Sequence, residues 1–119
     1  MSEQNLTFDQ TGEISLIRMT GALDMVIIPG LKEEIHEHLN THSRKIVVDI
    51  HDISYIDSSG IGLLIYIAKT VFSKKGRVKF IIPTGFVFDV LHMIHFDKLF
   101  EVYHDRARAL KDFNKVTPG

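Results

Sequence analysis

The chain carries Tyr55-Ile56-Asp57-Ser58-Ser59-Gly60-Ile61-Gly62 between two apolar runs. Ile46-Val47-Val48-Asp49-Ile50 precedes it, and Leu63-Leu64-Ile65-Tyr66-Ile67-Ala68 follows it directly. This pattern predicts a buried strand, a loop, and then two small hydroxyl residues opening a helix. The start of a helix leaves backbone N–H groups free and carries partial positive charge. An anion such as phosphate is well placed there. A hydroxyl at that point can be a cap, a phosphate acceptor, or both.

Working outward, Leu6-Thr7-Phe8 alternates and then meets the turn signal Thr11-Gly12. Ile14 to Thr20 is apolar-rich and predicts a second strand paired with the first. Gly21-Ala22-Leu23-Asp24 breaks that pattern. Ile28, Leu31, Ile35 and Leu39 then recur at helical spacing, with Pro29 in the first turn, where a missing N–H costs little. Lys45 to Ile50 reads as a strand covered on both faces. The central helix is predicted from about Ser59 to Lys74, with Lys74, Lys75 and Gly76 supplying its stop chemistry. Beyond it the pattern predicts a strand over Val78–Ile82, a helix over Phe86–Ile94, a strand over Leu99–Tyr103 and a helix over Asp105–Phe113. The tail Val116-Thr117-Pro118-Gly119 is expected to fray. Strands alternating with helices imply parallel pairing through right-handed crossovers. The expected fold is α/β, a mixed, largely parallel sheet of about five strands with about four helices packed on it.

At 119 residues the chain is expected to form one domain, 1–119, without repeat or linker. Such a chain buries roughly two-thirds of its unfolded surface, enough for a core without staples. There is no cysteine, so disulfides are excluded and metal sites lose their commonest soft ligand. A net charge of −1 gives no broad basic field and argues against direct nucleic-acid binding. Met1-Ser2-Glu3-Gln4-Asn5 lacks the basic and apolar regions of a signal peptide. No apolar run approaches the roughly 20 residues of a membrane span. A cytoplasmic location is the expectation.

Several enzyme readings fail on spacing. A Gly-x-Ser-x-Gly elbow would need glycine two residues before the serine, where Ile56 and Asp57 stand instead. Gly60 and Gly62 supply two glycines of a dinucleotide fingerprint, but Ile65 occupies the third place. No Gly-Lys-Ser/Thr phosphate loop occurs. Each glycine in a first helical turn costs roughly 0.5–1 kcal/mol against alanine, so Gly60 and Gly62 need a reason. Either the helix start packs closely on its own protein, or a partner's backbone approaches it. Of the seven histidines, His92 and His95 could share a helix face, whereas His36 and His38 cannot. No His-Glu-x-x-His pattern exists, and neither metal nor cofactor is expected. Lys74, Lys75, Arg77 and Lys79 read as a solvated loop. Phe86 and Phe88 read as core residues, one of them bordering an exposed apolar patch.

Ile56-Asp57-Ser58-Ser59-Gly60-Ile61-Gly62 resembles the signature of the STAS domain, specifically of the bacterial anti-sigma factor antagonists. Gly21-Ala22-Leu23-Asp24 resembles the Gly-x-Leu-Asp turn of that family. The departures are Ile61, where the family often has leucine, and the more apolar segment Val26-Ile27-Ile28-Pro29. The resemblance implies a STAS-like fold over nearly the whole chain and a binding protein rather than an enzyme. It implies phosphorylation on Ser58, with partner contacts from Asp24, Asp57, Ser58, Ser59, Gly60, Ile61 and Gly62. The implied partners are an anti-sigma factor that is also a serine kinase, and a serine phosphatase that restores the unphosphorylated form. That form would hold the kinase and free a sigma factor, and phosphorylation would end the complex. The alternative is a STAS subunit of a transporter or signalling scaffold, in which the serines would only cap the helix.

Overall fold

The computed structural model describes residues 5–113. The expectations about a leader and about the tail at 116–119 concern residues that lie, wholly or mostly, outside the described residues. The sheet runs β1 (Leu6–Thr11), β2 (Ile14–Leu23), β3 (Lys45–Ile56), β4 (Arg77–Ile81) and β5 (Glu101–Tyr103), in that spatial order. The helices are α1 (Ile28–Leu39), α2 (Ser58–Ser73), α3 (Phe86–Met93), the single turn α4 (Phe96–Leu99) and α5 (Arg106–Phe113).

β1 and β2 form an antiparallel hairpin closed by Gly12, whose φ is +60°. Every later neighbour pairs parallel. Because strand order follows chain order, successive right-handed crossovers deliver α1, α2 and α3 to one face. That face holds the main core. Ile17, Met19, Ile46, Val48, Ile50, Phe80 and Ile82 meet Leu31, Ile35, Leu39, Leu63, Leu64, Ile67, Val71 and Leu91 there. The alternate residues Ile14, Leu16, Val47 and Ile81 face the other way and pack under Ala109 and Phe113 of α5. The helical α1 positions read from spacing are all buried.

Two predicted breaks are strand. Residues 51–56 continue β3 where a loop was expected, and Gly21–Leu23 continue β2. The two extensions pair with each other, Gly21 with Ile53, Ala22 with Tyr55 and Leu23 with Ile56, across register shifts. One face of this part of β3 is open, so polar His51, Asp52 and Ser54 interrupt the apolar signal without ending the strand.

Smaller corrections follow from side-chain packing. Lys79 does not sit in a solvated loop; it is 1% exposed within β4. Its ammonium donates to Glu101 Oε1 at 2.5 Å and to the Tyr103 hydroxyl at 3.0 Å, and lies 4.9 Å from the Phe113 ring centre. The left-handed residue closing α2 is Lys75, at φ +63°, not Gly76. Gly76 is required for space, because a Cβ there would stand 1.8 Å from the Ser43 carbonyl oxygen. His95 takes a left-handed conformation between α3 and α4, so it shares no α3 face with His92. α4 adds a helix to the expected four, and β5 begins at Glu101 rather than Leu99. The cause is Phe96, which is buried edge-on to Phe80 at 4.9 Å and anchors the extra turn. Phe88 is half-buried, whereas Phe86 is exposed.

Candidate functional site

The carboxyl ends of β2 and β3 meet the start of α2. The Asp57 N–H donates to the Leu23 carbonyl at 3.1 Å, so the two strand ends are fastened together. Asp57 then turns the chain with extended angles, φ −112° and ψ −173°, and its side chain caps α2. Oδ1 accepts from the N–H groups of Ser59 at 2.9 Å and Gly60 at 3.1 Å. Oδ2 accepts from the Met25 N–H at 3.0 Å. One carboxylate thus holds both the helix start and the β2–α1 turn.

The cap is therefore Asp57, not a serine. Ser58 occupies the first helical position, exposed, and its hydroxyl makes no hydrogen bond among the described residues. Ser59 is half-buried. No histidine or lysine bonds to either hydroxyl among the described residues, so neither has the adjacent base that would make it a nucleophile. Ser58 instead offers an unencumbered oxygen to an external reagent. The N–H groups of Ser59 and Gly60 are already committed to Asp57. A phosphate on Ser58 would gain from the helix dipole but would find those donors occupied.

Asp24 plays a parallel local part. Its Oδ1 accepts from Val26 N–H at 3.0 Å and Ile27 N–H at 3.4 Å, while its carbonyl accepts from Ile27 and Ile28. Both aspartates are thus turn-builders, and the Met25 N–H held by Asp57 joins their two turns. The two glycines differ in their surroundings. Gly60 is buried, and a Cβ on it would meet Leu23 O at 2.6 Å and Ile56 Cγ1 at 2.7 Å. Gly62 is exposed, and a Cβ there would meet nothing within 4 Å. Ile61 is half-buried against the main core. All seven residues singled out from the sequence fall within the β2–α1 turn and the first turns of α2.

Met25 and Tyr55, which carry no role in the sequence motif, are exposed apolar side chains next to the Asp24 turn and the Asp57 cap. Met25 is 69% and Val26 82% exposed, and the exposed Tyr55 and Phe86 rings stack on each other. The unusual apolar character of Val26-Ile27-Ile28-Pro29, and the expectation that one of Phe86 and Phe88 sits at an exposed apolar patch, are the signals of this surface in the sequence.

The STAS domain model matches residues 5–109, and the chain belongs to that family. A candidate anti-sigma factor antagonist of Thermotoga neapolitana is 30% identical over 76 residues, covering 64% of this chain and 67% of that protein. The crystal structure of the candidate antagonist TM1081 of Thermotoga maritima superposes with a TM-score of 0.86 at 20% identity, covering 92% of this chain and 95% of that one. The Bacillus cell fate determinant SpoIIAA in its phosphorylated form superposes with a TM-score of 0.71 at 19% identity, covering 92% and 99%. These superpositions show the shared fold. No helix among the described residues is long and apolar enough to cross a membrane.

Proposed function

We propose that this chain, read as one STAS-like domain over 1–119, is a phosphorylation-switched anti-sigma factor antagonist. In its unphosphorylated form it binds an anti-sigma factor that is also a serine kinase, and a sigma factor is freed. Transfer of phosphate to Ser58 ends that complex, and a serine phosphatase restores it. It acts in the cytoplasm, without a cofactor and without catalysis of its own. The family membership and the antagonist named among its relatives support this reading. One observation carries it: Ser58 stands exposed at the helix start with its hydroxyl unused, because Asp57 has taken over the capping role.

The switch follows from charge. A phosphoserine carries about −1.5 to −2 charge at neutral pH. The Asp57 carboxylate already occupies the nearest N–H donors, so the domain has little with which to neutralise the newcomer. A partner surface fitted to a neutral hydroxyl would then face a charge. Unfavourable charge placement across an interface costs several kcal/mol, which weakens a micromolar complex roughly 100-fold or more. The fold itself need not move.

The test uses wild-type and Ser58→Asp baits in cells that make the chain. The protein retained by wild type and lost by Ser58→Asp should, once purified, phosphorylate the chain with ATP. Peptide mass spectrometry should place a single phosphate on Ser58. Modification confined to Ser59 or Thr20, or equal retention by both baits, would remove the switch and leave a constitutive STAS interaction subunit.

A further inference from the structure

Tyr55 and Phe86 stack with ring centres 5.9 Å apart and planes 9° from parallel, yet remain 46% and 55% exposed. Both rings are held at the carboxyl edge of the sheet by backbone features. Tyr55 is the penultimate residue of β3, in register with Ala22 and two residues before the Asp57 cap. Phe86 opens α3 directly after Gly85, whose φ of +93° and ψ of −142° suit only glycine. A Cβ on Gly85 would meet nothing within 4 Å, so the glycine is there for its backbone angles alone. Those angles deliver Phe86 onto Tyr55 in solvent rather than into the core.

A second apolar element adjoins the same cap. Met25 and Val26 lie in the β2–α1 turn, tied to Asp57 through the Met25 N–H at 3.0 Å. Thus the segments at or just beyond the carboxyl ends of β2, β3 and β4 carry exposed apolar side chains, and each is linked to the Asp57 cap that precedes Ser58. Tyr55 reaches that cap through Ile56, Met25 through its N–H, and Phe86 through its stack on Tyr55.

We infer that the stacked Tyr55–Phe86 pair is the aromatic anchor that holds the protein partner of the Ser58 surface, with Met25 and Val26 completing the apolar contact. This rests on the partner-switching reading above and assigns the roles within it. The aromatic pair sets affinity and partner choice, whereas Ser58 sets whether the contact survives. Protein interfaces concentrate their energy in such aromatic residues. The occupant is a protein with an apolar segment of its own. An anionic lipid surface would be repelled by Asp24 and Asp57, which hold the Val26 and Met25 N–H groups. A second copy docked symmetrically would bring the same aspartates face to face.

Photo-crosslinking in cells tests this. The amino acid p-benzoylphenylalanine is placed at position 55, 86 or, as a control, 72, which is 50% exposed in the last turn of α2. Each is made with Ser58 and with Ser58→Asp. Positions 55 and 86 should each form an adduct with one protein, the one that phosphorylates Ser58 with ATP when purified. Ser58→Asp should abolish both adducts, and position 72 should form none. With that purified kinase, Tyr55→Ser and Phe86→Ser should each weaken binding about 10-fold or more in calorimetry, with melting temperatures unchanged. If either serine variant melts early, Tyr55→Gln or Phe86→Gln, which keep more of the stem, replaces it. Unchanged affinity in these variants overturns the anchor and leaves the Ser58 switch standing. Adducts with a second copy of the chain, or adducts that persist in Ser58→Asp, overturn the choice of partner. Absence of any adduct together with absence of a Ser58 kinase overturns both readings.

Discussion

Two neighbouring residues at the α2 start do different work, and substitution separates them. Asp57 satisfies two helix N–H groups and the Met25 N–H with one carboxylate. Losing a side-chain cap costs about 0.5–2 kcal/mol, and Asp57→Ala also releases the β2–α1 turn, so the upper part of that range is expected. Ser58→Ala removes an exposed, unbonded hydroxyl and should leave stability within about 0.5 kcal/mol. Urea titrations of both variants check this, and comparable losses would return the capping role to serine. The same titration settles Asp24. A partner-only carboxylate would be silent there, but Asp24 Oδ1 holds its own turn through the Val26 N–H at 3.0 Å. Asp24→Ala is therefore expected to lower both stability, by about 1 kcal/mol, and partner affinity. Asp24→Asn keeps an accepting oxygen and should recover most of the stability without the charge, which isolates the electrostatic share of binding.

At the scale of the element, the glycines of the α2 motif separate internal packing from open surface. Gly60 sits where a Cβ would overlap Leu23 O at 2.6 Å, a backbone atom that cannot swing aside. Gly60→Ala should cost about 1–3 kcal/mol or more, as other overpacking changes do. Gly62 faces open space, so Gly62→Ala should stabilise by about 0.5–1 kcal/mol through helix propensity. Gly62→Gln should also fold, yet block a partner's close approach. Thermal melts beside binding titrations read both effects, and an unfolded Gly62→Gln would place that glycine in internal packing instead. The sequence could not divide the two glycines, since the Leu23 carbonyl that crowds Gly60 comes from a strand 37 positions away in the chain. Amphipathic spacing was sufficient for α1, where Ile28, Leu31, Ile35 and Leu39 are all buried as expected. It failed wherever tertiary partners overrode local pattern. Polar residues from 51 to 55 hid the rest of β3, since that part is covered on only one face. Lys79 looked like a surface charge because Glu101, Tyr103 and Phe113, which enclose it, lie more than 20 residues away. The motif at 56–62 was legible because strand end, cap and helix start are contiguous in the chain. The aromatic pair was not, because Tyr55 and Phe86 come together only through parallel pairing of β3 and β4 and the turn at Gly85.

Across the whole molecule, the two faces of the sheet are each pinned by a titrating group, and together these shape stability against pH. On the helical face, His38 is sandwiched between Phe8 at 4.1 Å and His42 at 4.4 Å, and shares a 2.6 Å hydrogen bond with the buried Ser15 hydroxyl. This joins the end of α1 to the β1–β2 hairpin. Burial, and then the neighbouring His42 charge, push its pKa below the ordinary 6.5. The unfolded chain therefore binds that proton more readily than the folded one. Stability from this site is complete above pH 6.5 and falls as the pH drops below it toward the lowered folded value. On the opposite face, Tyr103 donates to Asp112 at 2.6 Å and accepts from Lys79 at 3.0 Å. Burial first, and the Asp112 carboxylate second, raise its pKa above the ordinary 10.0. Here the folded state keeps its proton longer than the unfolded one. That contribution is complete below pH 10 and is lost as the pH climbs through the raised value. The expected profile is a plateau between about pH 6.5 and pH 10, with stability falling on both flanks. Denaturant midpoints measured from about pH 5 to above pH 10 check it. His38→Phe, which keeps the ring stack but cannot take a proton, should flatten the acid flank between pH 6.5 and 5 and leave the alkaline one. Tyr103→Phe should flatten the alkaline flank alone. An acid flank that survives His38→Phe unchanged would assign the loss to other groups and reduce the His38 stack to simple packing.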